Sequence, residues 1–342
     1  MNPKRIVPVI ILLIIAIVLI VRENAMHLSK VMISGKTMGT TYNITYLADG
    51  GINYKNEIDS LLKVWNQSMS TFIPGSEISY FNTHDTLHFR SQYFYPVLAK
   101  SHEVYEATGG AFDPTVMPLV DAWGFGPKQE AMPDSAQIDS LLHYVGFNKI
   151  GFDSTMAWKK TRGVELDFSA IAKGYGVDVI GKFLTGKGVE NYVVEIGGEV
   201  LAHGKNSQGK LWSTGIEDPT VDLLESRISA VLELDNEAIA TSGNYRNFYV
   251  KDGRKYSHEI NPYTGFPAEQ NILSSSVIAD NCMTADAFAT AFMVLGLDKS
   301  LQVLAKRKDL QVYFIYSDEH GDLKTYMSEG VNKMMREEEK KS

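Results

Sequence analysis

Apolar and polar residues alternate along this chain with two different periods, which predict a mixture of strands and helices. Residues 40–47 (TTYNITYL) alternate with period two and are rich in β-branched and aromatic side chains, as is typical of a strand. In residues 58–69 the apolar side chains recur at helical spacing, which indicates an amphipathic helix.

The same two patterns continue to the end of the chain. They predict further helices over residues 96–108, 138–145, 169–184 and 283–295. They predict further strands over residues 189–201, 228–240, 247–250, 274–279 and 312–316. Because strands and helices do not alternate regularly, an α+β fold is favoured over a doubly wound parallel sheet.

The N-terminus contains one strongly apolar segment. Residues 6–21 carry no charge, and they are preceded by Lys4 and Arg5 and followed by Arg22. The segment is at the short end of the roughly 17–25 apolar residues that a bilayer requires, and it is also as long as the apolar part of a secretory signal. No cysteine follows it, and Glu23 stands where a signal peptidase needs a small residue. An uncleaved signal anchor is therefore favoured over a cleaved signal.

The charges around this segment predict its orientation. Basic residues before an anchor tend to stay in the cytoplasm, so the chain from about residue 25 onward is expected outside it. The predicted organisation is a membrane anchor over residues 1–24, one domain over residues 25–330, and a charged tail over residues 331–342.

Composition excludes several classes of protein. The 342 residues include 33 lysines and arginines against 41 aspartates and glutamates, a formal net charge of −8. Sequence-independent binding of DNA or RNA needs a basic face, so no nucleic-acid partner is expected. The only cysteine, Cys282, rules out an intrachain disulfide and a cysteine-rich metal site.

The first candidate site is the segment 165–176 (ELDFSAIAKGYG). Asp167 and Ser169 open the predicted helix 169–184, and a helix N-terminus is a natural site for a phosphate group. Lys173 lies one turn into that helix, where its ammonium group can reach the same anion. The alternative is an ordinary capped helix with Lys173 in solvent, and this segment alone does not exclude it.

The second candidate site is the segment 280–291 (DNCMTADAFATA). Asp286 and Thr290 are four residues apart, so their oxygens project from one face of a helix that is otherwise apolar. Burying an acid there is unfavourable unless it is paired or binds a cation, and two hard oxygens suit Mg²⁺. The alternative is a buried aspartate that bonds to nearby backbone. Cys282 is interpreted as a small core residue rather than a nucleophile.

The third candidate is His258, in the segment 256–267 (YSHEINPYTGFP). Functional side chains are often carried by such turn-rich loops, although a single histidine is more often structural. Two glycine-containing segments, 195–199 (EIGGE) and 241–245 (TSGNY), would allow the backbone to approach a ligand closely. Glycine pairs are also common in hairpins, so each is weak by itself.

Taken in order, these segments resemble the ApbE family of FAD:protein FMN transferases, from about residue 30 to residue 327. The series is completed by MGTTY at 38–42, MSTF at 69–72, SEIS at 76–79, GAFDPTV at 110–116 and AWGFG at 122–126. The resemblance implies an α+β fold of the T-fold-like kind that binds FAD with Mg²⁺. It also implies transfer of FMN to a threonine or serine hydroxyl of a target protein, with release of AMP, outside the bacterial cytoplasm.

The resemblance also implies which residues form the site. Those expected to bind FAD are Met38, Phe72, Ala111, Phe112, Asp113, Asp167, Lys173, His258 and Ile260. Those expected to bind the metal are Asp286, Thr290 and the backbone carbonyl of Ala170. The expected partners are target proteins such as redox subunits of the bacterial inner membrane.

Three positions depart from the family pattern. Phe72 stands where tyrosine is frequent, Ser169 replaces a frequent glycine, and Asn261 replaces a frequent aspartate. Only Asn261 could affect chemistry, by removing a charge near His258. His258 is the best-placed candidate for the general base, and Asp286 or another acid is the alternative that the sequence leaves open. Two alternatives stay open: an FAD pyrophosphatase that uses water as nucleophile, and a flavin-binding protein without phosphoryl chemistry.

Overall fold

Strands between residues 28 and 327 build the centre of this domain. The computed structural model describes residues 28–128, 132–219, 227–243, 248–251 and 254–336. The strands are β1 (Leu28–Thr37), β2 (Thr40–Asp49), β3 (Thr86–His88), β4 (Ile150–Phe152), β5 (Met156–Lys159), β6 (Asn191–Ile196), β7 (Glu199–His203), β8 (Trp212–Glu217), β9 (Ile228–Leu234), β10 (Ala238–Gly243), β11 (Phe248–Lys251), β12 (Arg254–Ser257), β13 (Ile272–Ala279), β14 (Gln311–Ser317) and β15 (Leu323–Met327).

One large sheet dominates these strands. Its order is β1-β2-β6-β7-β10-β13-β14-β15, and each neighbouring pair is antiparallel. The smaller sheets are β3-β5-β4, β8-β9 and β11-β12. The expected mixed fold, rather than a doubly wound parallel sheet, is confirmed.

Two helices pack side by side on one face of the large sheet. The helices of the described residues are α1 (Lys55–Met69), α2 (Glu77–Thr83), α3 (Phe94–Ala107), α4 (Met117–Ala122), α5 (Ser135–Leu142), α6 (Ala172–Gly186), α7 (Cys282–Lys306) and α8 (Glu329–Met334). Helix α7 lies against β10 and β13, and α6 lies against α7, β6 and β7. These two helices carry Lys173, Asp286 and Thr290, so the sheet fixes their relative positions.

Alternating side chains of the sheet enter two different cores, because successive residues of a strand point to opposite faces. Ala240 and Val277 pack on the face that α7 covers. Their neighbours Ile239 and Ile278 pack on the opposite face, against the β8–β9 hairpin and Val331 of α8. The sheet is thus buried on both sides around its central strands.

Two predicted strands are wrong in extent, because each is a pair of strands joined by a tight turn. The segment 189–201 divides into β6 and β7 at Gly197 and Gly198, where the φ of Gly197 is +61°. The segment 228–240 divides into β9 and β10 near Asn236, whose φ is +58°. A turn with positive φ favours glycine or asparagine, and apolar alternation alone does not reveal it.

Helix α7 is longer than predicted. It continues past Gly296, where a non-helical φ of 72° produces a kink. Among the described residues it is the one helix long and apolar enough to cross a membrane, and half of its most apolar stretch is buried inside the domain. That burial, together with its contacts to β10 and β13, is typical of a core helix.

The predicted terminal segments extend beyond the described residues. The anchor over residues 1–24 lies outside them, as do residues 337–342 of the tail. The chain packs on the domain as far as Arg336, because Val331 is fully buried and the Arg336 backbone N–H donates to the carbonyl of Val231 at 3.2 Å.

Candidate active site

A cavity of about 610 Å³ lies where several loops meet the first turns of α6 and α7. Its volume is within the range of roughly 300–1,000 Å³ that is usual for small-molecule sites. Ten of the twelve residues expected to bind FAD or metal line it: Ala111, Phe112, Asp113, Asp167, Ala170, Lys173, His258, Ile260, Asp286 and Thr290. The structure therefore brings together motifs that are far apart in the sequence.

Met38 and Phe72 are not among the residues that line this cavity. Met38 and Gly39 form the two-residue turn between β1 and β2, both with positive φ, and the Met38 methyl group packs against Gly176 of α6. Phe72 lies in the loop after α1 and is 65% exposed. Flavin contacts by these two side chains stay predictions.

The loop before α6 differs from its predicted conformation. The helix begins at Ala172 rather than at Ser169, and no side chain caps it. Asp167 instead accepts hydrogen bonds from the Ser169 backbone N–H at 2.9 Å and the Ser169 hydroxyl at 2.6 Å. Residues 169–171 are therefore a turn, and Lys173 lies in the first turn of the helix, on the cavity wall.

A glycine brings α6 unusually close to α7. A Cβ at Gly174 would lie 2.3 Å from the carbonyl oxygen of Cys282, so no larger residue fits without moving a helix. At this approach the Gly174 backbone N–H donates to Asp286 Oδ2 at 2.9 Å. The close crossing thus fixes the Asp286 carboxyl at the beginning of α6.

Lys173 pairs with a buried acid that motif analysis did not identify as functional. Its Nζ lies 2.5 Å from Oε1 of Glu199, whose side chain is 2% exposed. Glu199 directly follows the Gly197–Gly198 turn. The glycine-rich segment 195–199 therefore contains this acid, but its sequence does not predict the contact with Lys173. Burial raises the pKa of Glu199 to about 7, and the Lys173 ammonium opposes that rise.

Asp286 shares the charge of this lysine. The residue is 3% exposed, and burial raises its pKa, while Lys173 and the Gly174 N–H stabilise the ionised form. Two buried acids therefore interact with one lysine, whose side chain is 33% exposed. Such a cluster has capacity for a further positive charge, since one ammonium balances only one carboxylate.

The oxygen groups on this wall fit a small hard cation. The Asp286 carboxyl, the Thr290 hydroxyl and the Ala170 residue line the same cavity, and Ser242 Oγ lies 3.1 Å from Thr290 Oγ1. Within the described part of the chain, no group of three or more His, Cys, Asp and Glu side chains forms a metal cluster. A cation here would therefore depend on ligand oxygens as well, as is usual for Mg²⁺ at phosphates.

Two loops that line the cavity, around Asp113 and Asp167, are joined to each other. The Asp167 backbone N–H donates to the carbonyl of Pro114 at 2.7 Å. Asp113 accepts from the backbone N–H of Thr115 at 2.8 Å and from its hydroxyl at 2.6 Å. Burial raises the pKa of Asp113 to about 6 against these hydrogen bonds.

Asn261 stabilises its own turn. Its side-chain oxygen accepts from the backbone N–H groups of Tyr263 at 2.9 Å and Thr264 at 3.3 Å. The turn is also tied to α4, because the indole of Trp123 donates to the carbonyl of Gly265 at 2.7 Å. Asparagine therefore supplies the acceptor that this turn requires, and the neighbouring His258 and Ile260 are held at the cavity.

Asp178 of α6 positions the helix that carries Asp286. Its two oxygens accept the backbone N–H groups of Cys282 and Met283, both at 2.8 Å, while Asn281 accepts that of Thr284. We expect Asp178→Ala to lower the free energy of unfolding by about 2–4 kcal/mol, because two partly buried donors lose their acceptor. Urea denaturation followed by circular dichroism measures this.

The same site predicts a pH dependence. Burial raises the pKa of Asp178 to about 7 from its usual 3.8. A raised folded-state pKa means that the linked stability is complete below the unfolded value and is lost as pH rises through about 7. Asp178→Asn resembles the protonated form and does not titrate. We expect it to gain stability relative to the unsubstituted protein between about pH 4 and pH 8, and a constant difference would contradict this.

Comparison with known proteins agrees with the order of motifs and with the fold. The ApbE family model matches residues 38–314. The chain is 40% identical over 306 residues to the FAD:protein FMN transferase of Haemophilus influenzae, covering 85% of this chain and 88% of that one. It is 40% identical over 309 residues to the FAD:protein FMN transferase of Vibrio cholerae, covering 87% and 91%.

Solved structures show the same architecture. The flavin transferase ApbE from Vibrio cholerae superposes with a TM-score of 0.82 at 37% identity, over 90% of this chain and 99% of that one. The flavinyl transferase ApbE from Pseudomonas stutzeri, in its apo form, gives a TM-score of 0.79 at 30% identity, over 90% and 96%. The chain belongs to the ApbE family.

Proposed function

We propose that this protein transfers FMN from FAD to a threonine or serine hydroxyl of a target protein, with Mg²⁺, and releases AMP. The transferase activity follows from membership of a family whose relatives are FAD:protein FMN transferases. One observation supports the rest of the proposal: Lys173, Asp286 and Thr290 line the same cavity of about 610 Å³, a volume that is usual for small-molecule sites.

Transfer is a substitution at phosphorus. The acceptor hydroxyl oxygen attacks the phosphorus on the FMN side, the bond from that phosphorus to the bridging oxygen breaks, and AMP leaves with that oxygen. Negative charge on the phosphoryl oxygens has to be neutralised. Among the described residues that line the cavity, the lysine that can do this is Lys173. The hydroxyl proton passes to His258, the candidate base on the 258–262 loop, a role worth about 10²–10⁴-fold in rate.

The metal would bind beside Lys173. Bound Mg²⁺ would supply positive charge at the phosphoryl oxygens, held by the Asp286 carboxylate, the Thr290 hydroxyl and the Ala170 carbonyl. The surrounding charges favour this, because Lys173 faces two acids, Glu199 and Asp286, and its single positive charge balances only one of them. The carboxylate of Asp286 is then left for the cation.

One incubation separates this proposal from its alternatives. The protein is mixed with FAD, MgCl₂ and an acceptor peptide that contains one threonine, and the peptide is read by intact mass. We expect the peptide to gain one FMN and AMP to accumulate. A peptide with valine in place of the threonine is the matched control. Free FMN and AMP with an unmodified peptide would indicate a pyrophosphatase, and bound, uncleaved FAD would indicate a flavin carrier.

The location is part of the proposal. We infer that residues 1–24 remain as an anchor in the bacterial inner membrane, with the domain on the extracytoplasmic side, because the apolar segment lacks a suitable cleavage site. The targets would then be redox subunits of the same membrane. Fractionation should place the full-length chain in the membrane pellet. A soluble form that begins near Ala25 or Met26 would instead show cleavage.

A further inference from the structure

Glu259 is a buried acid for which the proposed reaction has no use. It lines the cavity, its side chain is 2% exposed, and neither carboxyl oxygen has a hydrogen-bond partner. Leaving a buried carboxyl without partners is costly, and native proteins rarely do so without a functional reason. The position of this carboxyl therefore requires an explanation.

The group that faces it is the imidazole of His258. Oε2 of Glu259 lies 3.5 Å from Nδ1 of His258, and the histidine side chain is 38% exposed. One side of the ring thus faces a buried acid, while the residue also borders the cavity. Hydrogen bonds at active sites are often long before the substrate binds and shorten afterwards.

The backbone holds Glu259 in this position. Its carbonyl accepts the N–H of Ala268 at 2.7 Å, and Ile260 forms a β-bridge with Pro267. Within the described part of the chain, Asp167 is a second acid whose charge interacts with His258, but the Oδ1 of that residue already accepts two hydrogen bonds from Ser169. Of these two acids, Glu259 is therefore the better arranged to accept a hydrogen bond from the ring.

We propose that Glu259 is the positioning residue for His258: its carboxylate accepts the Nδ1–H and leaves the Nε2 lone pair facing the cavity. In a neutral imidazole one nitrogen is a donor and the other an acceptor, and the partner of the first decides which is which. This inference rests on the proposed function, because a fixed Nε2 lone pair is what a base for the acceptor hydroxyl needs.

The test reads the ring directly. The ¹⁵N and ¹³C NMR chemical shifts of the imidazole in labelled protein report which ring nitrogen carries the proton. The His258 signals are identified by their absence from the spectrum of His258→Asn. We expect the Nδ1–H form in the unsubstituted protein, its loss in Glu259→Leu, and its retention in Glu259→Gln, whose carbonyl can still accept. Glu77→Gln is the matched control, because Glu77 is equally buried, at 4% exposure, but its oxygens bond to Ser68, Arg90 and Ser91.

Kinetics provide the second measurement. In single-turnover transfer at saturating FAD, we expect the transfer rate of Glu259→Leu to be at least about 10-fold lower than that of the unsubstituted protein. In a His258→Asn background the same substitution should not lower the rate further, since the two residues act as one unit. An Nε2–H ring in the unsubstituted protein, or a ring unaffected by Glu259→Leu, would overturn the pairing. Full activity of His258→Asn would instead refute the base role and leave the NMR result to decide the pairing by itself.

Discussion

Asp286→Ala is expected to abolish Mg²⁺-dependent FMN transfer while the domain still folds. The carboxylate is the only charged group among the three proposed ligands, so its loss removes most of the attraction for the cation. Folding should survive, because alanine is the best helix former and Lys173 keeps Glu199 as its partner at 2.5 Å. The main structural loss is the acceptor for the Gly174 N–H, worth about 1–3 kcal/mol.

The measurement is the transfer rate at saturating FAD over a range of MgCl₂ concentrations, with thermal melting as the check on folding. Thr290→Val is the graded control, because it removes a neutral ligand that also contacts Ser242 and should weaken Mg²⁺ dependence less. Asp286→Ala that folds and transfers FMN at the unsubstituted rate would disprove the metal assignment.

Features that depend on one local segment were predictable from the sequence. Asp286 and Thr290 are four residues apart in an apolar helix, and helical geometry alone places them on one face; both line the cavity. The helix itself was predicted because its apolar run is long. Its extension beyond Gly296 was not, since a glycine with positive φ usually ends a helix.

Competing local hydrogen bonds explain why α6 begins later than the sequence predicts. Ser169 is a good helix N-cap by residue type, and this favoured a start there. In the structure the Asp167 side chain accepts hydrogen bonds from both the backbone N–H and the hydroxyl of Ser169. Such short-range hydrogen bonds compete with helix formation. The helix consequently begins three residues later, at Ala172.

Contacts between distant segments could not be predicted from residue patterns. Glu199 meets Lys173 because the β6–β7 turn lies beside the first turn of α6, and nothing in either segment specifies that approach. The same holds for Asp178, which caps α7 from the neighbouring helix. Family resemblance supplied the residues of the cavity wall, whereas the buried acids that accompany them became visible only in three dimensions.

The last prediction concerns proton transfer. We expect His258→Asn to retain FAD but to lose FMN transfer by about 10²–10⁴-fold, the usual contribution of a general base. Asparagine is the sharper substitution, because it keeps a hydrogen-bonding edge toward Glu259 while removing the group that takes up a proton. The loop should be undisturbed, since its turn is held by Asn261 and by the Trp123 bond to Gly265.

The pH profile distinguishes this role from simple ligand binding. A general base takes up a proton during the reaction, so a base role predicts that the saturated rate of the unsubstituted protein depends on pH and that His258→Asn lacks this dependence. If His258 only donates a hydrogen bond to the flavin or a phosphate, the variant will bind FAD more weakly and keep both the saturated rate and its pH profile. Parallel measurement of the FAD dissociation constant and the saturated rate therefore decides between a base and a binding group, because the two roles affect different constants.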